Sequence, residues 1–364
     1  MTEAPENKRS RYMEWAKLCS GARFNLATSG LTSVVTAEFP LRLEEVEVNG
    51  PGGYGYAPLL ERIARHTGAP LECIVTAAGT SMANHLAMAT LLAPGDEVLI
   101  EQPAYGPLLD VAHYLGAQVR RIERKFEHDF TISLGEMEAA ITPATRLVVL
   151  SNLHNPTGAL IPAETLRAIG GMAQRAGAWV LVDEVYLEML FDRAPPFSFS
   201  LGENLSVTSS LTKTYGLSSL RCGWILADSK LARRIWLLND LFAATPAHPA
   251  EKLSVMAFDH LDRFRDRARG LIETNRTLLN GFLDSRSDLE CFRPPAGTVV
   301  FPRLTNGDPD GFLQLLREKY ETSVVPGRFF ELPRHFRLGI GGDTTNLRAG
   351  LERLDAALDE FARK

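Results

Sequence analysis

The chain has 364 residues, 45% hydrophobic and 23% charged, the balance of a soluble globular protein long enough for one large domain and a smaller one. Its 39 basic and 44 acidic residues give a formal charge of −5 without a basic block, which argues against a nucleic-acid partner. No apolar run approaches the roughly 20 residues of a membrane span, and the polar start, Met1 to Ser10, does not read as a secretory signal.

Taken in chain order, short apolar runs occur at Cys73–Thr76, Val98–Ile100, Leu147–Leu150, Trp179–Val182, Leu205–Ser209 and Trp224–Ala227, and Gln118–Ile122 is a candidate for a seventh strand. Amphipathic segments lie between most of them, among them Ala83–Leu92, Leu108–Leu115 and Ala163–Ala176. Continuous apolar strands separated by helices predict an α/β fold with a mainly parallel sheet covered on both faces. Such a sheet carries its functional loops at the carboxyl ends of its strands. After about Ala250 the character changes. A long surface helix is expected over Lys252–Asn275, with Arg263, Arg265, Arg267, Arg269 and Arg276 forming a solvated or interface face. A β-like run at Thr298–Pro302, a helix around Asp310–Tyr320, a strand at Ser323–Val325 and a last helix from about Thr345 follow. The expected division is a large domain over 45–250 and a smaller α+β domain made of 1–44 and 251–364. The four cysteines, Cys19, Cys73, Cys222 and Cys291, are scattered and lack a Cys-x-x-Cys spacing. They read as free thiols in a reducing compartment, the cytoplasm by default. Cys222, beside Arg221, could have a lowered pKa, but packing is its expected role. No metal site is expected.

Several motifs carry chemistry. Thr76-Ala-Ala-Gly79-Thr80-Ser81 follows a strand and precedes a helix expected from about Met82, so helix N–H groups, Gly79 and two hydroxyls suit a phosphate. An ordinary strand-to-helix turn with an N-cap serine accounts for the same residues. Asp183 ends a strand where a carboxylate is poorly solvated, a costly position unless the charge is paired, although aspartates at strand ends are common. Tyr186 and Asn155, the latter in an Asn-Pro-Thr-Gly turn to Gly158, are donors within the same pattern. Ser210-Leu211-Thr212-Lys213 is followed by Gly216, Arg221 and Gly223. An amine among small hydroxylic residues suits a Schiff base with an aldehyde, and pyridoxal phosphate is the natural aldehyde; an exposed loop lysine is the plainer reading. Tyr105 could stack on a ring. Arg337, in Phe336-Arg337-Leu338-Gly339, suits a two-pronged grip on a carboxylate or an interface contact.

Together these stretches resemble the class I/II aminotransferases, the fold-type I enzymes that use pyridoxal phosphate. The likeness runs from about Phe24 to the C-terminus through G-T-S, P-A-Y, H-N-P-T-G, D-E-V-Y, S-L-T-K-x-x-G-L-x-x-L-R-x-G and F-R-L-G. It implies a large domain with a seven-stranded, mostly parallel sheet and a ping-pong transfer of an amino group between an amino acid and a 2-oxo acid. By the resemblance Lys213 is the Schiff-base lysine, Asp183 pairs with the pyridine nitrogen, and Tyr186 and Asn155 hold the phenolic oxygen. Gly79, Thr80, Ser210 and Arg221 bind the phosphate, with Ser81 an addition; Tyr105 stacks, and Arg337 anchors the substrate carboxylate. Ser29-Gly30 looks like the segment that closes over substrate. The resemblance also implies a homodimer whose partner receives a tyrosine at its phosphate; Gly50-Pro-Gly-Gly-Tyr54-Gly55-Tyr56 leaves the register open, with Tyr54 preferred over Tyr56. The same residues would serve other reactions of the cofactor, such as β-elimination by a C–S lyase, cyclisation or decarboxylation. A non-catalytic regulator on this fold is the rival of a different class, and the short stretch before the matched segment is too small for a helix-turn-helix domain.

Overall fold

The computed structural model describes residues 8–363; the first seven residues of the polar start lie outside them. Seven strands form the central sheet. They run across it in the order Ile74–Ala78, Cys222–Leu226, Leu205–Ser210, Trp179–Asp183, Thr145–Ser151, Glu97–Gln102 and Gln118–Glu123. Cys222–Leu226 is antiparallel to both neighbours, and the remaining pairs are parallel.

Alternation along these strands decides which side chains meet which helices. Val98, Ile100, Leu147, Val149 and Leu181 pack with side chains from the helices Gly79–Leu91, Gly106–Tyr114 and Ser229–Asn239. The intervening Leu99, Val148, Leu150, Val180 and Val182 face the opposite way, against Leu166, Ile169 and Ala173 of the Ala163–Arg175 helix. The strand residues in both sets are 0% exposed, so each large one contributes about 1.5–3 kcal/mol of burial. The sheet is thereby covered on both faces. At its carboxyl edge Ser151 pairs in register with Asp183, and Asp183 with Thr208. Polar strand ends thus gather in one place.

Two expected helices change bounds. The helix after the first strand begins at Gly79, not near Met82, because Gly79 takes φ +77° and turns the chain directly from strand into helix. The long helix over Lys252–Asn275 is two, His248–Phe258 and Leu261–Asp284. They part at Asp259 and His260, where His260 is non-helical (φ −128°, ψ 24°) and Asp259 accepts two hydrogen bonds from Arg62 at 3.0 and 3.2 Å. The arginine face is not simply solvated. Arg267 donates to the Thr32 and Ser33 carbonyls, Arg269 to Asp192, and Arg276 to the Pro294 and Gly297 carbonyls. These bonds fix the long helix to three other segments.

The C-terminal third carries a small antiparallel sheet, Val299–Val300, Phe336–Gly339 and Val325–Pro326. Phe24–Asn25 pairs parallel with Thr322–Ser323, which draws the N-terminal segment alongside. A Cβ at Gly339 would lie 1.9 Å from the Thr28 carbonyl oxygen, so residues 26–30 can lie against the strand that carries Arg337 only because position 339 has no side chain. The last helix, Thr344–Phe361, is capped by Asp343, which accepts from the Thr345 and Asn346 N–H groups. Among the described residues no helix is long and apolar enough to cross a membrane.

Candidate active site

A cavity of about 520 Å³ opens at the carboxyl edge of the sheet, and its wall includes Thr80, Ser81, Tyr105, Asn155, Asp183, Tyr186, Ser210, Lys213 and Arg221. Nine positions singled out from the sequence therefore share one wall. They come from five separate stretches of chain, and the sheet's topology brings them together.

At one end is an anion cradle. The Gly79–Leu91 helix starts from Ala78, whose side chain offers no cap, so the first-turn N–H groups keep no side-chain partner there. A Cβ on Gly79 would sit 2.2 Å from Arg221 Nη2, so only glycine leaves room for the guanidinium at this helix start. Arg221 Nη2 donates to the Ala78 carbonyl at 2.8 Å, and Thr80 Oγ1 donates to Ser210 Oγ at 2.9 Å. Helix N–H groups, one guanidinium and three hydroxyls thus converge, with Ser81 on the same wall. The cap is Ala78; Ser81 lies in the first turn and does not cap the helix.

Lys213 and Asp183 form the middle. Lys213 Nζ donates to Ser29 Oγ at 2.8 Å and lies 5.7 Å from the centre of the Tyr186 ring. Burial lowers its pKa to about 8, with Arg337 and Arg221 adding in the same direction and Tyr12 and Asp183 opposing. Burial raises Asp183 to about 6, against hydrogen bonds from Asn84 and the Val185 N–H and the nearby Lys213 charge. Tyr186 Oη is buried without a hydrogen-bond partner; the Ser29 hydroxyl is near enough to lower the phenol's pKa but not in bonding geometry, and burial wins, raising it. Tyr105 is raised as well by burial, meets Tyr12 edge to face at 5.5 Å between centroids, and donates to Met13 Sδ at 3.6 Å.

Arg337 is 0% exposed. Its Nη1 donates to Asn155 Oδ1 at 2.9 Å, and its Nη2 to Tyr12 Oη at 2.9 Å and to the Ala27 carbonyl at 3.1 Å. Of five guanidinium hydrogens two stay uncommitted, one on the buried Nε. Asn155 thus has its oxygen on Arg337 and its Nδ2 free to donate into the cavity. Gly30 borders an adjoining cavity of about 280 Å³ with Lys213, and a Cβ there would be 3.7 Å from Lys213 Cδ, an ordinary contact. Tyr54 is not brought to this cavity. It is 41% exposed, donates to Asp240 Oδ2 at 3.1 Å and lies under Arg233 at 4.5 Å. Cys222 does not have a lowered pKa; burial pushes the thiol up to about 12, outweighing a hydrogen bond with Ser254.

Four contributors were not singled out from the sequence as cavity residues. Ser29, known only as Gly30's neighbour, is the lysine's hydrogen-bond acceptor. Asn84 contacts Asp183 at 2.8 Å; an asparagine on a helix face otherwise built from Ala83, Leu86 and Ala87 was the available signal. Tyr12, on the helix Arg11–Leu18, holds Arg337 and left no trace in the motifs. The fourth is Glu101, which accepts from both the N–H and the hydroxyl of Ser151 at 2.6 Å; Ser151 Oγ in turn accepts from the Asn155 N–H at 3.2 Å. Glu101 is itself paired with buried Arg124 at 2.7 Å.

These residues fit pyridoxal phosphate. The uncapped helix start and Arg221 match a dianion, the desolvated Asp183 matches a cationic ring nitrogen, and the unpartnered Tyr186 Oη matches a phenolic oxygen. The buried amine of Lys213 matches an aldehyde carbon.

Comparison with known proteins agrees. The family model for aminotransferase class I and II matches residues 14–354. A capreomycidine synthase of Streptomyces vinaceus is 29% identical over 304 residues, 82% of this chain and 78% of that one. An arginine–pyruvate transaminase of Pseudomonas aeruginosa is 27% identical over 305 residues, 81% and 78% of the two chains. The crystal structure of a PLP-dependent aminotransferase from Streptococcus suis matches with a TM-score of 0.92 at 24% identity, covering 98% of this chain and 99% of that one, which shows a shared fold. With the sheet, the cavity and the match over residues 14–354 in agreement, the chain belongs to the class I and II aminotransferase family and is a pyridoxal 5′-phosphate-dependent enzyme with the fold-type I architecture.

Proposed function

We propose that this protein moves an amino group between an amino acid and a 2-oxo acid, with Lys213 as the residue that joins the cofactor and carries the proton. Bound pyridoxal phosphate supplies an aldehyde carbon for the amine and a cationic ring that accepts charge developing at the substrate's α-carbon. The amine of Lys213, its pKa lowered by burial to about 8, could take and return a proton close to neutrality. Asp183 lies ready as the anion for the ring nitrogen, and Tyr186 and the Asn155 amide donate to the phenolic oxygen. Gly79, Thr80, Ser81, Ser210 and Arg221 hold the phosphate, and Tyr105 covers the ring face. Arg337, together with Asn155 and the backbone at Gly30, receives the substrate carboxylate.

The observation that carries this reading is the desolvated lysine on the same cavity wall as a desolvated aspartate, two buried charges complementary to one cofactor and not bonded to each other. A Lys213→Ala protein tests it. Transfer should fall by at least the ~10²–10⁴-fold of a general acid–base group, with loss of the absorbance band of the lysine-bound cofactor. Near-wild-type transfer with that band intact refutes the assignment.

One further outcome to test is a cyclisation or elimination on the same cofactor, which the same residues would serve. Oxo-acid-dependent amino transfer separates it from ammonia release or ring closure. The proposed assembly is a homodimer in which Tyr54 reaches the partner's phosphate. What supports it is the exposed apolar group next to Asp240, the hydrogen-bond acceptor of Tyr54: Leu237, Leu241 and Phe242, with Leu241 79% exposed. The proposed division into 45–250 against 1–44 with 251–364 follows the sheet and the Phe24–Asn25 pairing. A cytoplasmic location is proposed on the four unpaired cysteines.

A further inference from the structure

Asp183 is held by two donors, one on each oxygen. The Val185 N–H reaches Oδ1 at 3.2 Å, and Asn84 Nδ2 reaches Oδ2 at 2.8 Å. Asn84 lies in the second turn of the Gly79–Leu91 helix and is 4% exposed. Its own Oδ1 accepts from Thr208 Oγ1 at 2.6 Å, and Thr208, 0% exposed, is the register partner of Asp183 on the neighbouring strand. The chemistry of this chain runs one way. An ionised carboxylate only accepts, so Asn84 must present its NH2 group to Asp183 and its carbonyl to Thr208. Reversing the amide would set two oxygens against each other in a buried setting. A threonine hydroxyl can donate or accept, so Asp183 sets the orientation of the amide, and Thr208, outside the cavity wall, holds its carbonyl end.

We propose that Asn84, held in place by Thr208, is a positioning residue that holds the Asp183 carboxylate ionised and aimed at the ring nitrogen of the cofactor. This rests on the cofactor reading above. The other groups acting on Asp183 do not replace it. The Val185 N–H and the Lys213 charge act in the same direction but less strongly, Lys213 being bonded to Ser29; Glu184 accepts from the Ser198 N–H and is itself raised by burial to about 8, and Tyr105 and Tyr186 are neutral phenols raised by burial. Asn84 is the largest influence lowering Asp183 against its burial. Without it, Asp183 binds a proton more readily, and a neutral acid cannot keep a pyridine nitrogen protonated.

Four variants test the proposal: Asn84→Leu, which keeps the shape and removes the donor, Asn84→Asp, Thr208→Val and Thr208→Ser. In the cofactor-free protein, carbon NMR of labelled aspartate, assigned with Asp183→Asn, follows the Asp183 carboxyl directly. Its midpoint should move up by about one pH unit in Asn84→Leu, by more in Asn84→Asp through like charge, by less in Thr208→Val, and not at all in Thr208→Ser. In the loaded enzyme, Asn84→Leu and Thr208→Val should lower kcat about tenfold or more with KM for the substrate little changed. A cofactor analogue with carbon in place of the ring nitrogen should bind wild type and Asn84→Leu equally. An unmoved Asp183 midpoint in folded Asn84→Leu overturns the proposal. Should that variant fail to fold, an unmoved midpoint in the near-isosteric Thr208→Val overturns it instead. Because the titration uses cofactor-free protein, failure of wild type to bind pyridoxal phosphate would sink the functional reading separately from the Asn84–Asp183 relation.

Discussion

Replacing Gly79 by alanine separates two effects that one glycine combines. The first is conformational: at φ +77° an L-residue is strained by about 1–2 kcal/mol. That strain burdens the protein with and without cofactor alike, so it lowers stability and leaves affinity unchanged. The second is local. The new Cβ would lie 2.2 Å from Arg221 Nη2 and 2.7 Å from Cζ, inside contact distance, so the guanidinium must leave the helix start. A hydrogen bond between charged groups contributes about 1.5–3 kcal/mol. Arg221 is exposed in this chain, which places its contribution near the lower figure, or about a tenfold loss of cofactor affinity. The assay is a spectroscopic titration of cofactor-free protein with pyridoxal phosphate, paired with a melt of the cofactor-free form. The control is Arg221→Ala. If the glycine acts by making room for the arginine, the double variant binds no worse than Arg221→Ala alone. Affinity of Gly79→Ala within about twofold of wild type, or full additivity in the double variant, refutes the reasoning.

Two further outcomes follow from buried charge. Glu101 and Arg124, both essentially unexposed and paired at 2.7 Å, are pushed by burial towards their neutral forms and held charged by each other. Glu101→Gln should cost about 3–5 kcal/mol in urea unfolding, and an apolar double replacement with Arg124→Met should cost less; a single-variant loss within about 0.5 kcal/mol would show that the pair is not what anchors Ser151. Lys213 sits near 8 in the folded protein against its ordinary 10.5, so the unfolded chain binds the extra proton between those values. Stability of the cofactor-free protein should therefore rise from pH 8 to 10.5, and the deficit below pH 8 is about 3 kcal/mol. Cofactor-free Lys213→Met should be more stable than wild type at pH 7, with the gap closing towards pH 10.5; equal stability at pH 7 contradicts a desolvated amine.

Much of this was legible because the large domain repeats one local rule. Uninterrupted apolar runs such as Val98–Ile100 and Leu147–Leu150 can be buried on both sides only in a covered parallel sheet, so the layering and six of the seven strands followed from the runs, while Gln118–Glu123, with two arginines and an exposed edge, did not read as such a run. Motif residues were legible where their chemistry is unusual for their context: Lys213 between hydroxyls, Asp183 at an apolar strand end. The bounds at Gly79 and at Asp259–His260 were not. The first depends on a positive φ that the sequence permits but does not announce, and the second on Arg62, 197 residues away. Tyr12, Asn84 and Glu101 escaped for a related reason. Each acts through a partner remote in sequence, Tyr12 across 325 residues to Arg337 and Asn84 across 99 to Asp183, and neither helix periodicity nor motif spacing encodes such pairings.

Two sets of buried polar groups contrast in how far the chain alone satisfies them. Glu101, Arg124 and Ser151 are complementary to one another, so their bonding is complete within the chain apart from one Arg124 nitrogen. The groups around the cavity are not. The helix start at Ala78 has no side-chain cap, Tyr186 Oη and Arg337 Nε have no partners, and burial moves both Lys213 and Asp183 towards neutrality. Each deficit lowers the stability of the empty fold. A random set of packing defects would have no common remedy, whereas these match an anion, a hydrogen-bond acceptor, a carboxylate, an aldehyde carbon and a ring cation in adjoining positions. Cofactor and substrate would relieve them together, so binding should stabilise the fold in proportion to ligand concentration over its dissociation constant. The strain in this cavity is thus a negative image of its ligand, and that image is what distinguishes a site from a merely polar core.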